Sequence, residues 1–207
     1  MAVFKIGTEE NGKTAVYRTE KDLRNLLFYA YNHSSYTIME NLYPIGEGFM
    51  ECIYHQFLYL QWRRVKSVNT RALHCILSFD TLRWEKDVDQ SKMMEIMHFL
   101  NSYLFGEYQH ILFLHLDKPS HYHIHMIVNP VNINTLHLFR DTWKDIGCIG
   151  WQIAELLGEM YNIPLQSFTY RDYDGRIKRG QETGVDLYKD KWVKEIGIEN
   201  RVPYLKD

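Results

Sequence analysis

The stretch HLDKPSHYHIH, residues 115–125, carries four histidines and one aspartate. Residues 109–116 and 122–129 on either side are rich in aliphatic residues and predict two antiparallel strands joined by a short turn. Because side chains alternate between the two faces of a strand, the three histidines at alternate positions of the second strand share one face. They are His121, His123 and His125. The pattern predicts a two-stranded platform that carries several imidazoles on one side.

A divalent metal site is the chemistry that this platform predicts. His115 lies across the hairpin from His123 and His125, so three imidazoles are expected to point into one space. A neutral imidazole needs partners for both of its ring nitrogens, and a cluster of imidazoles without an ion is therefore unfavourable. Three protein ligands also leave coordination positions open for substrate oxygens. The spacing predicts His115, His123 and His125 as the metal ligands.

Three further residues flank the predicted ligands. His121 begins its strand next to the turn, where it is a further ligand, an outer partner of a ligand or a substrate contact. Asp117 shares the face of His115 and is placed to orient an imidazole or to accept a proton. Asn129 either anchors its strand or contacts a phosphate. The remaining histidines stand alone in the sequence and are interpreted as ordinary core or surface residues. They are His33, His55, His74, His98, His110 and His137.

Predicted strands and helices alternate irregularly along the rest of the chain. Further strands are expected at residues 2–6, 71–79 and 165–170, and helices at residues 21–31, 52–66, 88–104 and 141–161. The segment 36–48 holds Pro44 and two glycines and predicts a loop, and the sequence from residue 171 onward shows no clear pattern. This order favours an α+β fold, with a central antiparallel or mixed sheet and helices packed mainly on one face. No glycine-rich phosphate loop opens a helix, which argues against a doubly wound nucleotide-binding fold.

Composition narrows the class of protein. The chain has 207 residues, 45% of them hydrophobic, which suits one compact domain. Three widely spaced cysteines form no CxxC pair and indicate a reducing compartment. No run approaches the roughly 18 apolar residues of a membrane span, and the N-terminus lacks the features of a secretory signal. We therefore expect a cytoplasmic protein without membrane insertion.

Two basic clusters are candidate contacts for nucleic acid. The net charge of −2 argues mildly against such a partner, because phosphate binding relies on clustered Lys and Arg. A local groove can nevertheless be basic, and Trp62, Tyr170 and Tyr173 lie near the clusters, where they could stack on bases of single-stranded DNA. The first cluster is Arg63, Arg64, Lys66 and Arg71, and the second is Arg171, Arg176, Lys178 and Arg179.

The histidine stretch resembles the third motif of conjugative relaxases, the mobilisation nucleases of the His-hydrophobe-His endonuclease superfamily. The family pattern is His-x-Asp, a short turn, His-x-His-x-His, apolar residues and an Asn, and residues 115–129 follow it. The turn here is one residue longer than is common. The strand ending in Ser78-Phe79 is similar to the second motif, and the helix around Tyr29 is similar to the first, which carries the nucleophilic tyrosine. The resemblance covers about residues 20–135 and keeps the family order of tyrosine before histidines.

The resemblance implies a metal-dependent nuclease that nicks one DNA strand at a transfer origin and becomes joined to the 5′-phosphate. Tyr29 is the expected nucleophile, because Leu26 and Ala30 place it within reach of the inward face of its helix. Tyr31 is the alternative. Only one of the two can face the metal, because residues two apart on a helix point in different directions. The implied ion is Mn²⁺ or Mg²⁺, with Zn²⁺, Ni²⁺ or Co²⁺ as alternatives.

The same resemblance implies the biological setting and the division of the chain. The partners would be single-stranded or locally melted origin DNA, accessory DNA-binding proteins and coupling proteins of the secretion apparatus, in a bacterium that carries a mobile element. Residues 1–165 would form the nicking domain, and residues 166–207 a C-terminal extension packed on that domain or completing it. Three alternatives stay open: a nuclease that uses activated water, a non-catalytic module with a structural metal, and a replication initiator, against which the order of the motifs argues.

Overall fold

The central feature of the fold is one mixed β-sheet. A computed structural model of the chain describes residues 2–6, 17–46, 48–80, 89–117, 121–139, 143–163, 165–171 and 177–181. In chain order the elements are β1 (Ala2–Ile6), α1 (Glu20–Asn32), β2 (Tyr36–Glu40), α2 (Phe49–Trp62), β3 (Leu73–Asp80), α3 (Gln90–Tyr103), β4 (Tyr108–His115), β5 (His121–Asn132), α4 (Trp143–Tyr161), β6 (Leu165–Arg171) and β7 (Ile177–Gln181). Within these residues, seven strands lie in the order β2-β4-β5-β3-β1-β6-β7. Neighbours are antiparallel except β1 and β6, which are parallel. The predicted α+β fold with a mixed, mainly antiparallel sheet is confirmed.

The helices cover both faces of the sheet, which corrects the expectation that they pack mainly on one. α3 and α4 bury residues such as Met97 against Leu112 and its neighbours on one face. α1 and α2 bury residues such as Phe57 against Ile111 and Phe113 on the other face. The physical reason is that β4 is apolar on both of its faces, and a strand of this kind needs cover on both. None of the helices in the described ranges is long and apolar enough to span a membrane.

Two strands differ from the sequence-based expectation. Residues 36–40 form β2 on the edge of the sheet, where a loop was predicted, and all of them are partly exposed. An edge strand that buries neither face fully lacks the apolar alternation from which a strand is predicted. β7 pairs with β6 in a segment whose sequence showed no clear pattern. Both strands are therefore defined by pairing with a neighbour rather than by their own periodicity.

Three adjacent strands form the floor beneath the histidines. β5 lies between β4 and β3, with His123 directly opposite His115 on β4 and opposite Ser78 on β3. His125 occupies the next row of the same face, beside Ile76 of β3. The predicted hairpin of β4 and β5 is confirmed, although residues 118–120 of its turn lie outside the described residues. Strand pairing thus fixes the relative positions of the histidines through the backbone.

Helix α1 is fixed at its start and along its buried face. Its first turn is a capping box: the Thr19 hydroxyl accepts the Asp22 backbone N–H at 3.1 Å, and the Asp22 carboxylate accepts the Thr19 N–H at 2.9 Å. Leu23, Leu27 and Ala30 are fully buried at helical spacing against the sheet. These contacts hold the last turns of α1 beside the end of β4.

Candidate metal centre

The structure brings together the three histidines predicted as metal ligands. Ligand nitrogens of His115, His123 and His125 all lie within 4.8 Å of one another. The ring centroids are 4.4 Å apart for His115 and His125, and 4.9 Å apart for His123 and His125. Among the residues that the structure describes, no other group of three or more His, Cys, Asp or Glu side chains has this geometry. The arrangement follows from cross-strand pairing and from the alternation along β5.

Hydrogen bonds leave defined nitrogens of two of these imidazoles for an ion. His115 Nε2 donates to the carbonyl oxygen of Ala30 at 2.7 Å, so its lone pair is on Nδ1. His125 Nδ1 lies 2.7 Å from Nε2 of His74. Nε2 of His125 is buried and has no hydrogen-bond partner within the described residues. A buried polar atom of this kind calls for a partner, and a divalent cation would provide one. Three imidazoles therefore fit a bound divalent ion.

Burial favours the neutral form of His115 and His125. It is the main cause that lowers the pKa of His115 and of His125, and neighbouring imidazoles lower the pKa of His125 further. The Asp117 carboxylate acts in the opposite direction on the pKa of His115. Burial, followed by the charge of His115, lowers the pKa of His74 to about 3. At neutral pH these groups retain the lone pairs that metal coordination requires.

Of the two candidate tyrosines, the structure places Tyr29 beside the triad. Its ring centroid is 6.5 Å from that of His115 and 4.7 Å from that of His33, and its side chain is 56% exposed. Tyr31 instead packs against two phenylalanine rings, with centroids 5.5 and 6.5 Å away. An exposed phenol beside the histidines is accessible to a polymeric substrate.

Asp117 and His121 lie at the rim of the triad. Asp117 is exposed just beyond the end of β4, two residues from His115, and its charge acts on that imidazole. The ring of His121 stacks on that of His123 with centroids 5.6 Å apart. His121 is not in the group of three that could share an ion. Both residues are therefore placed to act on the triad or on a substrate from its open side.

Asn129 anchors strand β5 and does not line the triad. Its Nδ2 donates to the carbonyl of Phe57 at 3.0 Å and to the side chain of Gln109 at 2.8 Å. Its Oδ1 accepts from the Gln61 side chain and from the Val131 N–H, each at 3.2 Å. The amide thus has no donor left for a phosphate. Of the two roles expected for Asn129, the structure supports the anchor.

The first basic cluster lies at the opposite end of the strands from the triad. β3 begins there at Leu73, whereas β5 begins with His121 beside the histidines, and the two strands run antiparallel. Arg64 donates to a backbone carbonyl of the loop at 133–138, and Arg71 donates to Gln61 at 3.1 Å. In this cluster, the exposed members are Arg63 and Lys66.

The second basic cluster is described in its backbone except at Arg176. Arg176 is not among the described residues, whereas Lys178 and Arg179 lie on β7, where they pair with Tyr170 and Thr169 of β6. That pairing gives their backbone positions alone. The role of this cluster in DNA binding therefore stays a prediction.

Sequence reasoning missed three residues of the site. His33 and His74 were interpreted as standing alone, which is wrong: the ring of His33 lies against Tyr29, and His74 is hydrogen-bonded to a triad member. No sequence pattern distinguishes Lys5, yet its charge is one of the smaller causes that lower the pKa of His74, after burial. On β3, His74 alternates with buried apolar residues, so it belongs to the histidine face once β3 is set beside β5. Strand order was the missing information.

The comparison with protein families agrees with this geometry. The sequence matches the family described as relaxase, MobA/VirD2-like, nuclease domain, over residues 38–159. The match runs from β2 into α4 and contains the whole triad, whereas Tyr29 precedes it. No curated protein and no solved structure matches the chain. Because the matched segment is more than half of the 207 residues, this chain belongs to the relaxase family with MobA/VirD2-like nuclease domains.

Proposed function

We propose that this chain nicks one strand of DNA at a transfer origin by transesterification, for the mobilisation of a plasmid or an integrated element. Tyr29 is the nucleophile, and His115, His123 and His125 hold the divalent ion. The observation that carries the proposal is the convergence of three imidazole nitrogens within 4.8 Å beside an exposed tyrosine. Membership of a family of DNA nucleases supports the choice of a phosphate ester as substrate.

The proposed step exchanges one phosphate ester for another. The Tyr29 oxygen bonds to the scissile phosphorus while the bond from phosphorus to the 3′ oxygen breaks, which leaves a 5′-phosphotyrosyl intermediate and a free 3′-hydroxyl. The tyrosine proton passes to a base, for which we propose Asp117, and the leaving oxygen takes up a proton. A bound divalent ion would supply positive charge opposite the non-bridging phosphate oxygens. Neutral imidazole ligands leave that charge undiminished.

Residues around the triad have distinct tasks in this proposal. His33 packs its ring against Tyr29 at 4.7 Å between centroids and orients the phenol. Lys5 lies on β1 in the same row of the sheet as His125, separated from it by one residue of β3, and adds a positive charge for the DNA backbone. His121 extends the histidine surface toward the substrate. These positions favour binding of a single strand across the open part of this sheet face.

The ion and the partners follow from the same proposal. We propose Mn²⁺ or Mg²⁺ as the ion, although an all-imidazole set also suits Zn²⁺, Ni²⁺ or Co²⁺. The DNA would be single-stranded or locally melted at the origin, with accessory DNA-binding and coupling proteins as further partners. Away from the triad, we propose additional backbone contacts from the basic clusters. The residues proposed for these contacts are Arg63, Arg64, Lys66, Arg71, Arg176, Lys178 and Arg179.

A covalent adduct with DNA tests the proposal. We expect the purified chain, incubated with Mn²⁺ and labelled single-stranded DNA containing its own transfer origin, to form an adduct that survives a denaturing gel. Tyr29→Phe should abolish the adduct, because it removes the attacking oxygen, and should leave Mn²⁺ affinity unchanged. Tyr31→Phe is the matched control two residues away, and it should retain the adduct.

The possible outcomes separate the proposed mechanism from its alternatives. Full adduct formation by Tyr29→Phe would exclude Tyr29 as the nucleophile, and loss of the adduct in Tyr31→Phe alone would assign that role to Tyr31. Metal-dependent cleavage that both variants retain, without any adduct, would indicate a nuclease that uses activated water.

A further inference from the structure

His74 and Tyr17 form a chain of hydrogen bonds that ends on one of the proposed metal ligands. Nε2 of His74 lies 2.7 Å from Nδ1 of His125, and the Tyr17 hydroxyl lies 2.8 Å from Nδ1 of His74. The rings of His74 and His125 are nearly parallel, with an interplanar angle of 17° and centroids 5.0 Å apart. Both ring nitrogens of His74 therefore have defined partners.

The backbone fixes the positions of all three residues of this hydrogen-bond chain. His74 on β3 is paired with Ile127 on β5, so His125, two residues earlier, is its diagonal neighbour on the same face. Tyr17 forms a β-bridge with Ala72, and its carbonyl accepts the backbone N–H of the preceding residue 71 at 2.6 Å. The contacts thus follow from strand pairing and do not depend on long, flexible side chains.

One arrangement of protons in this chain makes Nε2 of His125 a ligand atom. A neutral imidazole carries one N–H and one lone pair, so a lone pair on Nε2 places the proton of His125 on Nδ1. That N–H donates to Nε2 of His74, whose own proton is then on Nδ1 and donates to the Tyr17 oxygen. In the reverse arrangement the Tyr17 hydroxyl donates, Nε2 of His125 carries the proton, and coordination through that nitrogen is blocked.

This bond requires a neutral ring at His74. Only a neutral imidazole keeps the lone pair with which Nε2 of His74 can accept the Nδ1–H of His125. An imidazolium could only donate, and its positive charge would repel a cation bound nearby.

We propose that His74 is a positioning residue for the metal: it accepts the Nδ1–H of His125 and so holds that imidazole in the tautomer and orientation that present Nε2 to the ion. Tyr17 in turn holds His74. The inference rests on the metal site of the proposed function. His115 is held in a comparable way by the carbonyl of Ala30. Outer partners of this type orient metal-binding histidines in many proteins, and here one of them is a neutral imidazole.

Mn²⁺ binding to variants of the 207-residue chain, measured by calorimetry, tests the role of the acceptor. His74→Phe keeps a ring of similar size but has no acceptor, and the affinity should fall roughly 10- to 100-fold. His74→Gln offers a carbonyl oxygen to the N–H of His125 and should restore most of the affinity. Tyr17→Phe should cause a smaller loss than His74→Phe. His110→Phe is the matched control, because His110 is also fully buried on a strand but lies on the opposite face of the sheet.

The tautomers of His74 and His125 provide a second measurement, which does not depend on whether His74 also stabilises the fold. In ¹⁵N spectra of histidine-labelled protein loaded with diamagnetic Zn²⁺, we expect the proton on Nδ1 in both His74 and His125. A proton on Nε2 of His74 would overturn the inference, as would a folded His74→Phe variant with wild-type Mn²⁺ affinity, or a His74→Gln variant as weak as His74→Phe. A wild-type chain that binds no divalent ion would overturn the metal site itself, whereas metal binding without a DNA adduct would contradict the tyrosine step alone.

Discussion

The histidine triad lies at one end of the central sheet and the first basic cluster lies at the other. The side chains of these two clusters differ in their partners. At the end where β5 begins, three histidines direct their nitrogens into one space, and a buried nitrogen of His125 has no hydrogen-bond partner within the described residues. At the end where β3 begins, Arg64 and Arg71 donate to groups of the protein itself. The histidines are arranged for an external ligand, whereas two of the four residues of the first basic cluster also stabilise the fold.

The difference comes from the length of the side chains and from the backbone that carries them. An imidazole on a paired strand has two torsions and a position set by the sheet, so alternation along the sequence determines where it points. Arginine has a long side chain that reaches whichever acceptor lies near, as Arg71 reaches Gln61 and Glu20. A histidine pattern on strands therefore indicates a site more reliably than a count of positive charges.

The largest expected effect is on Mn²⁺ affinity, and it should appear for variants at the histidine end of the sheet and be absent for variants at the basic end. The double variant His123→Ala/His125→Ala removes two of the three proposed ligands, so Mn²⁺ affinity should fall by more than about 100-fold, beyond the loss typical of an outer partner. DNA cleavage should be lost with it. The pair Arg63→Ala/Lys66→Ala at the other end should leave Mn²⁺ affinity unchanged in the same calorimetric titration. Normal Mn²⁺ binding by the histidine variant would contradict the assignment of His123 and His125 as metal ligands.

A smaller effect concerns the stability of the metal-free protein in acid. Burial lowers the pKa of His74 to about 3, and it also lowers that of His115 and His125. Below about pH 6.5 the unfolded chain takes up protons at these positions more readily than the folded chain does, so acid favours unfolding. The free energy of unfolding should fall by up to about 1.4 kcal/mol per pH unit for each such histidine.

Urea unfolding in the presence of a chelator, at several values between about pH 7 and pH 5, measures this dependence. His74→Gln, which removes one titrating group, should flatten the curve. A free energy of unfolding that stays constant over this range would show that the buried histidines are not held neutral.

The smallest expected effect is on the salt dependence of binding to single-stranded DNA, measured for one lysine variant at each end of the sheet. Lys5→Gln removes one positive charge beside the triad, and the slope of log K against log salt should decrease by about 0.7 for one lost contact with the DNA backbone. Lys66→Gln, at the other end, should change the slope less. An equal change for both variants would mean that the DNA contacts the basic end as strongly as the triad end, and the contrast between the ends would not extend to substrate binding.

The sequence predicts those parts of the structure that depend on the local periodicity of side chains along a strand. The alternation in residues 121–125 and the hairpin pairing with His115 led to the convergence that the structure contains. Prediction from sequence failed where the answer depends on which strands are neighbours. β3 lies beside β5 although α3 and β4 separate them in the chain, so the contact between His74 and His125 has no local signature. The edge strand β2 was missed because it buries neither face.

The choice between Tyr29 and Tyr31 shows the same limit. Both belong to one helix, and their spacing indicates that they face different ways. The apolar positions Leu26 and Ala30 favour Tyr29, but they do not show how the helix packs on the sheet. Packing of α1 on the sheet, through buried residues such as Leu27 and Ala30, decides this. Tyr29 lies with its ring 6.5 Å from that of His115 as a result.

The most direct test of the central claim is to identify the residue that becomes linked to DNA. The wild-type chain is incubated with Mn²⁺ and origin-containing single-stranded DNA, digested with nuclease and protease, and sequenced by fragmentation in a mass spectrometer. We expect a nucleotide joined through its 5′-phosphate to Tyr29. A nucleotide on any other residue, or efficient cleavage with no protein-linked nucleotide, would contradict the central claim.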